Sequence, residues 1–326
     1  MLVIGRDELN SIVHMRDAIN VVAKGFEDLS FGKAVVPLRT VISTSNGDVL
    51  FMPGYVPSLS SAAVKVVSVF PHNVESGMPS VMAAVVLVNA DNGQPLALIE
   101  GTYFTALRTG AAGGLGVDLL SRRNASKILL FGAGRQGYTQ IEASISVRQI
   151  DTVWVVDTIE GAAEKFCKNM SESYNDIEFI AVNDYNEVIA DADIIVTATT
   201  STVPVFDGNK VSSGTHINAI GAYRPDMQEI DEVIVKRAHK LVVDSKDAVL
   251  AEAGDIIVPI EKGIVSEECI YAEIGEIVGG SKPGRVNDTE ITLFETVGVA
   301  VEDVALASLV YQRALESGVG VEVSGF

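Results

Sequence analysis

The spacing of apolar residues changes along the chain, and each change marks a different kind of structure. From Val35 to Ala97, β-branched runs are broken by Asn46-Gly47 and by Asp91-Asn92-Gly93. Such residues tolerate positive φ in tight hairpins, so this region is predicted to be an antiparallel sheet. The longest apolar stretch, Val81 to Val88, is about half the length a helix needs to cross a bilayer. Its β-branched content reads as a buried strand. From Thr102, read as an N-cap, an Ala/Leu/Gly-rich helical spacing runs to about Leu120 and ends in the cluster Ser121-Arg122-Arg123-Asn124.

Beyond Ser126, short apolar strands alternate with helical segments: Lys127–Phe131, a helix to about Ser146, Thr152–Val156, a helix from Glu160, then Ile177–Val182 and Ile194–Ala198. This is the βαβ rhythm of a parallel sheet with helices on its faces. His216–Ile220 and Lys240–Val243 add two strands, and a last helix from Val297 to about Ser317 is long enough to return across the molecule.

Composition narrows the partners. The 326 residues are 48% apolar and 21% charged, with 43 Asp and Glu against 24 Lys and Arg, a net charge of −19. That balance supports a sizeable core and repels phosphate backbones and anionic headgroups, so neither nucleic acid nor a membrane is an expected partner. Cys167 and Cys269 stand far apart, and His14, His72, His216 and His239 have no ligand spacing. No disulfide framework and no metal site are expected. The opening MLVIGRDELN becomes charged at Arg6, too early for a signal-peptide core, and a cytoplasmic location is expected.

Against this background one motif stands out. Gly132-Ala133-Gly134-Arg135-Gln136-Gly137 is G-x-G-x-x-G, set between the strand KILLF and a helix. The first glycine permits a tight turn, the second lets backbone approach a pyrophosphate, and the third allows close helix–strand packing beside a helix N-terminus. Asp157, ending the next strand, is spaced to accept both hydroxyls of an adenosine ribose, and its charge would repel a 2′-phosphate. NAD(H) is therefore expected over NADP(H). The alternative is a plain strand-to-helix turn with Asp157 capping the following helix. Thr197-Ala198-Thr199-Thr200 follows the fourth strand of this unit, either as the loop beside a nicotinamide ribose or as a threonine-rich turn.

Three cations, Arg39, Lys65 and Arg108, lie in apolar segments, the first two within strands. Burying an unpartnered cation costs several kcal/mol. Each needs an internal carboxylate or an anionic ligand such as a substrate carboxylate.

Four segments, GTYFTALRTGAAGGLG (101–116), KILLFGAGRQG (127–137), NAIGAYRPDMQEID (218–231) and DTEITLFETVGVAVEDVA (288–305), together resemble the ornithine cyclodeaminase/μ-crystallin family across essentially the whole chain. That family includes ornithine cyclodeaminases, archaeal-type alanine dehydrogenases, ketimine and 1-pyrroline-2-carboxylate reductases, and thyroid-hormone-binding μ-crystallins. The resemblance implies a homodimer of α/β fold, a Rossmann doubly wound parallel sheet plus an α+β substrate and dimerisation domain with an antiparallel sheet. The expected division is 1–118 for the substrate domain, 119–296 for the Rossmann domain, and 297–326 for a helix returning to the former. By resemblance, Arg39, Lys65 and Arg108 hold a substrate α-carboxylate, Lys65 doubles as proton donor, and Thr109 and Gly221 join the cofactor contacts.

One departure separates the chain from the cyclodeaminases of that family, which place an aspartate two residues beyond the glycine matching Gly221. Here the position is Tyr223. A phenol of unperturbed pKa near ~10 is a poor general base at neutral pH, although it donates hydrogen bonds well. A preformed imine needs no such base. The expected activity is therefore an NAD(P)H-dependent reductase or dehydrogenase of small α-imino or α-amino acids, with Lys65 and Tyr223 catalytic. Ornithine cyclodeaminase, alanine dehydrogenase and a non-catalytic μ-crystallin-like binder are the alternatives. Glu295, where relatives often carry lysine, has no evident role in the sequence.

Overall fold

The computed structural model describes residues 1–325. Its strands are β1 (Leu2–Ile4), β2 (Thr40–Ser43), β3 (Asp48–Val56), β4 (Ser61–Val69), β5 (Val81–Asn89), β6 (Pro95–Glu100), β7 (Lys127–Phe131), β8 (Thr152–Val156), β9 (Glu178–Ala181), β10 (Ile194–Thr197), β11 (His216–Ala219), β12 (Lys240–Val243), β13 (Ile270–Glu273), β14 (Thr292–Glu295) and β15 (Val321–Glu322). The helices are α1 (Arg6–Ile12), α2 (Met15–Ser30), α3 (Gly101–Leu120), α4 (Arg135–Val147), α5 (Ala162–Ser173), α6 (Glu232–Arg237), α7 (Lys246–Glu252), α8 (Gly254–Glu261), α9 (Ile274–Val278) and α10 (Ala300–Ser317). The chain divides into two compact units, residues 1–108 with 299–326 and residues 109–298. The first division falls inside the unbroken helix α3, where the sequence reading placed it at 118/119.

The first unit holds a seven-stranded sheet in the order β15-β1-β6-β5-β4-β3-β2. Strands β2 to β6 pair antiparallel, as their hairpin turns require. The sheet is nevertheless mixed, because β1 pairs parallel with β6. Only one face is covered, so burial alternates along β4, with Ser61, Ala63, Lys65 and Val67 inward. For the same reason Val81–Val88 is half-buried, not buried throughout: only Val85 and Leu87 of β5 are inside. Helix α10 lies close on the covered face. A Cβ on Gly54 of β3 would come within 3.0 Å of Val304 Cγ2, and one on Gly25 of α2 within 3.2 Å of Ala305 Cβ.

The start of α3 differs from expectation. Thr102 is the second residue of the helix, and the cap is Glu100, whose Oε1 and Oε2 accept from the Thr102 and Tyr103 amides at 2.7 and 2.9 Å. Thr102 instead accepts from the Ala83 amide at 3.3 Å. Arg39 also departs from expectation: it is half-buried and precedes β2 by one residue.

The second unit is an eight-stranded, wholly parallel sheet in the order β13-β12-β14-β11-β10-β7-β8-β9. Strands β13 and β14 escaped the sequence reading. Ile128, Leu130, Val153, Val155, Ile194 and Val196 form one side of a core closed by Ile141, Phe166 and Met170 from α4 and α5. Cys167 and Cys269 are both free. Among the described residues no helix is long and apolar enough to cross a membrane, and no group of His, Cys, Asp and Glu is arranged to hold a metal ion.

Removing the α3 cap leaves two amides without an acceptor. Glu100→Ala is expected to cost about 1 kcal/mol in urea unfolding, and Thr102→Ala clearly less. Equal losses would remove the cap from Glu100.

Candidate active site

In the second unit β7 runs directly into the glycine loop. Gly132 takes φ 101°, and a Cβ there would lie 2.5 Å from the Ala198 carbonyl oxygen. A Cβ on Gly137 would collide with the Gly132 carbonyl oxygen, which is why α4 can pack so tightly against the turn. Gly134 is different. Nothing lies within 4 Å of a Cβ built there, and it forms the N-cap of α4 with no side chain capping the helix. Two glycines thus serve chain packing, and the middle one opens onto free space at a helix N-terminus, a cradle that suits a pyrophosphate. Arg135 is exposed, while Ala133 and Gln136 are half-buried beside this opening.

Asp157 lies one residue past β8. Its Oδ2 accepts from the Ala133 amide at 2.7 Å and its Oδ1 from the Ile159 amide at 2.8 Å. It does not cap α5, whose N-cap is Gly161. The carboxylate therefore ties the glycine loop to the end of β8 and retains acceptor capacity for hydroxyls. Thr109, in α3, accepts from Gln140 Nε2 of α4 at 2.8 Å through its carbonyl, which sets this turn of α3 against the helix that begins at the glycine loop.

Thr197, Ala198, Thr199 and Gly221 are brought together by a residue the sequence reading missed. Glu229, fully buried, accepts from Thr197 Oγ1 at 2.8 Å, the Thr199 amide at 2.5 Å, Thr199 Oγ1 at 2.6 Å and the Gly221 amide at 2.7 Å. The ends of β10 and β11 are thus clamped on one carboxylate. An acid directly after a strand-and-loop motif was its only signal. Tyr223, two residues past Gly221, is half-buried. Asp226 is exposed and pairs with Arg224 at 2.9 Å, a surface role.

The first unit carries the cations. Lys65 points from the covered face of β4 and is fully buried, its Nζ 3.0 Å from Asp303 Oδ1 of α10. Arg108 Nε lies 3.5 Å from the same oxygen, and its Nη1 lies 3.0 Å from Glu302 Oε2. Two of the three sequence-flagged cations therefore converge on one oxygen. The internal carboxylates Glu302 and Asp303, which sequence reasoning did not single out, meet their charge. Burial, and then the Arg108 charge, lower the Lys65 pKa to about 8, against the opposing pull of Asp303. Burial raises that of Glu302 despite Arg108. Arg39, the third of those cations, lies one residue before β2, whose Thr40 pairs with Phe51, and the next residue of β3, Met52, pairs with Lys65.

A parallel sheet with this glycine loop and acid, together with a buried lysine on a mixed sheet and a buried arginine from α3, defines a dinucleotide-dependent oxidoreductase. The chain belongs to the ornithine cyclodeaminase/mu-crystallin family, whose model matches residues 2–318. It is 38% identical over 325 residues, 99% of each chain, to a Delta(1)-pyrroline-2-carboxylate reductase of Bacillus cereus. Among solved structures it resembles the Thermococcus litoralis Delta(1)-pyrroline-2-carboxylate reductase in complex with NADH and L-proline, with TM-score 0.95, 44% identity, and coverage of 99% of this chain and 100% of that one. An archaeal alanine dehydrogenase dimer with bound NAD gives TM-score 0.93 at 38% identity, covering 100% of this chain and 99% of that one.

Proposed function

We propose that the chain is an NADH-dependent reductase of small cyclic α-imino acids such as 1-pyrroline-2-carboxylate, also able to run in reverse on the amino acid. The observation that carries this reading is the buried Lys65–Asp303–Arg108 cluster. It sets two cations, Lys65 of β4 and Arg108 of α3, side by side on one carboxylate oxygen, a geometry suited to a carboxylate. The relatives named as reductases support the same reading. When bound, the reduced nicotinamide supplies the hydride. The chain's own residues hold the carboxylate through Lys65, Arg108 and Arg39, and keep a proton at Lys65 Nζ that a pKa of about 8 lets it release. Tyr223 donates a hydrogen bond. A cyclodeaminase would need a carboxylate base where Tyr223 stands and an anion for a second substrate amine.

Purified protein is expected to consume NADH with 1-pyrroline-2-carboxylate, with kcat/KM falling as pH rises through about 8 and Lys65 loses its proton. Lys65→Met should abolish turnover and leave NADH binding intact. Proline and ammonia from ornithine without net NADH change, or NADH consumption confined to pyruvate plus ammonia, would replace this reading by the lyase or by alanine dehydrogenase. Tight binding of an aromatic ligand with no turnover would replace it by a binding protein.

Asp157 supports a preference for NADH over NADPH. Asp157→Ser is expected to narrow the ratio of the two KM values by about 1–3 kcal/mol, the worth of charge-assisted hydrogen bonds. An unchanged ratio would take Asp157 out of the ribose site.

We infer a homodimer as well. Val41 and Ile42 of the edge strand β2, with Val35 and Leu38 before it, expose large apolar side chains along one sheet edge. Such an edge invites a second copy. Sedimentation equilibrium should return twice the chain mass, and Ile42→Lys should shift it toward one chain mass.

A further inference from the structure

Glu295, at the end of β14, is fully buried, and neither of its carboxyl oxygens has a hydrogen-bond partner. The charges of three other carboxyls from separate elements act on it: Asp255 from the first turn of α8, Glu229 from the loop before α6, and Asp244 just past β12. Asp244 is satisfied, its Oδ2 accepting from Thr296 Oγ1 at 2.7 Å and the Gly298 amide at 2.8 Å. Asp255 is half satisfied. Its Oδ1 accepts from the Glu229 and Ile230 amides at 2.7 and 3.0 Å, while its buried Oδ2 has no partner. The charges that raise Asp255 and Glu295 come from carboxylates.

Ionised oxygens left bare in such a place are costly, whereas a protonated carboxyl brings its own donor. Three oxygens, Asp255 Oδ2 and both of Glu295, are bare, and a proton on either carboxyl supplies a donor there. Glu229 differs, because four donors meet its carboxyl and oppose the rise in pKa that burial causes.

We propose that Glu229 is a positioning residue for the cofactor loops, kept in its four-bond clamp by a proton held on the Glu295–Asp255 pair, so that cofactor affinity falls when that proton is lost. The proposal rests on reading Thr197, Thr199 and Gly221 as cofactor contacts. Asp255 accepts from the backbone amide of Glu229, and the charge of one carboxyl disfavours ionisation of the other, so a charge gained on Asp255 is felt at the carboxylate that forms the clamp. Burial first, and then the neighbouring carboxylates, raise Glu295 well above the carboxylate range, and burial followed by Glu229 raises Asp255 to about 8. Folded protein thus holds protons that the unfolded chain has already lost, and stability from this cluster declines as pH climbs from the ordinary carboxylate range through about 8.

The test measures NADH affinity by fluorescence titration and Tm by calorimetry, from slightly acid to moderately alkaline pH. Four proteins are compared: the unaltered protein, Glu295→Gln, Asp255→Asn and Glu229→Gln. In the unaltered protein the NADH Kd should rise by up to about tenfold per pH unit once the proton is lost, and Tm should fall over the same range. Glu295→Gln and Asp255→Asn, which cannot ionise, should flatten both curves and give the higher Tm at alkaline pH. Glu229→Gln, which sets an amide NH2 against two donors, should weaken NADH at every pH by about tenfold or more. An unchanged Tm slope in both Glu295→Gln and Asp255→Asn would overturn the proton. A flattened Tm with NADH affinity independent of pH and of Glu229→Gln would overturn the positioning role, the cofactor-contact reading being at fault. If one of the two amide variants fails to fold, the other decides.

Discussion

A single carboxylate oxygen, Asp303 Oδ1, holds the first unit to its shape. It stands 3.0 Å from Lys65 Nζ and 3.5 Å from Arg108 Nε, and all three groups are almost wholly buried. Removing one partner from a buried pair costs about 3–5 kcal/mol, because the remaining charge stays desolvated. Everything needed to bring α10 within reach therefore becomes part of the same constraint. Gly54 and Gly25 have no Cβ where α10 passes, and Glu302, beside Asp303, both accepts from the Val299 amide at the start of that helix and pairs with Arg108. The last helix is fastened by charge as well as by apolar contact.

What could be read in advance, and what could not, divides by sequence distance. The glycine loop was legible because each glycine's task is set within a few residues of itself or by the next strands of the same sheet, as the Gly132 and Gly137 approaches illustrate. The anions facing the cations were not, since Lys65 and Arg108 meet residues 238 and 194 positions away. Two adjacent acids inside the apolar run VGVAVEDVALASLV were visible, but nothing local told which cations they would face. Capping failed for a different reason: side-chain preference favours threonine, whereas the longer Glu100 carboxylate reaches two amides at once. Strands β13 and β14 are as short as the legible β12, but each ends on a glutamate that interrupts the apolar run by which Lys240–Val243 was read.

The replacement of an acid by Tyr223 and the clamp on Glu229 bear on the same chemical question. A lyase that deaminates its substrate has to take protons from an amine, and needs a base where the family's cyclodeaminases carry an aspartate. An imine reductase has only to hold a planar, already activated C=N group and donate a proton. Its demands fall on positioning. A loop clamped by four hydrogen bonds onto one buried carboxylate meets that demand better than it would meet a need for a mobile acid or base.

An anionic substrate and a chain of net charge −19 are a poor match at long range. The conflict is resolved by distance. Charges farther than about 8 Å are largely screened at physiological ionic strength, while a pair about 4 Å apart near a protein surface, at an effective dielectric near 20, interacts by about 4 kcal/mol. A few cations in a desolvated place therefore outweigh many acids on the surface. Lys65 and Arg108 are already balanced by Asp303 and Glu302 when no substrate is present, so the cluster can stay folded and buried before an anion arrives. For binding an anion, where the cations sit therefore counts for more than the overall charge.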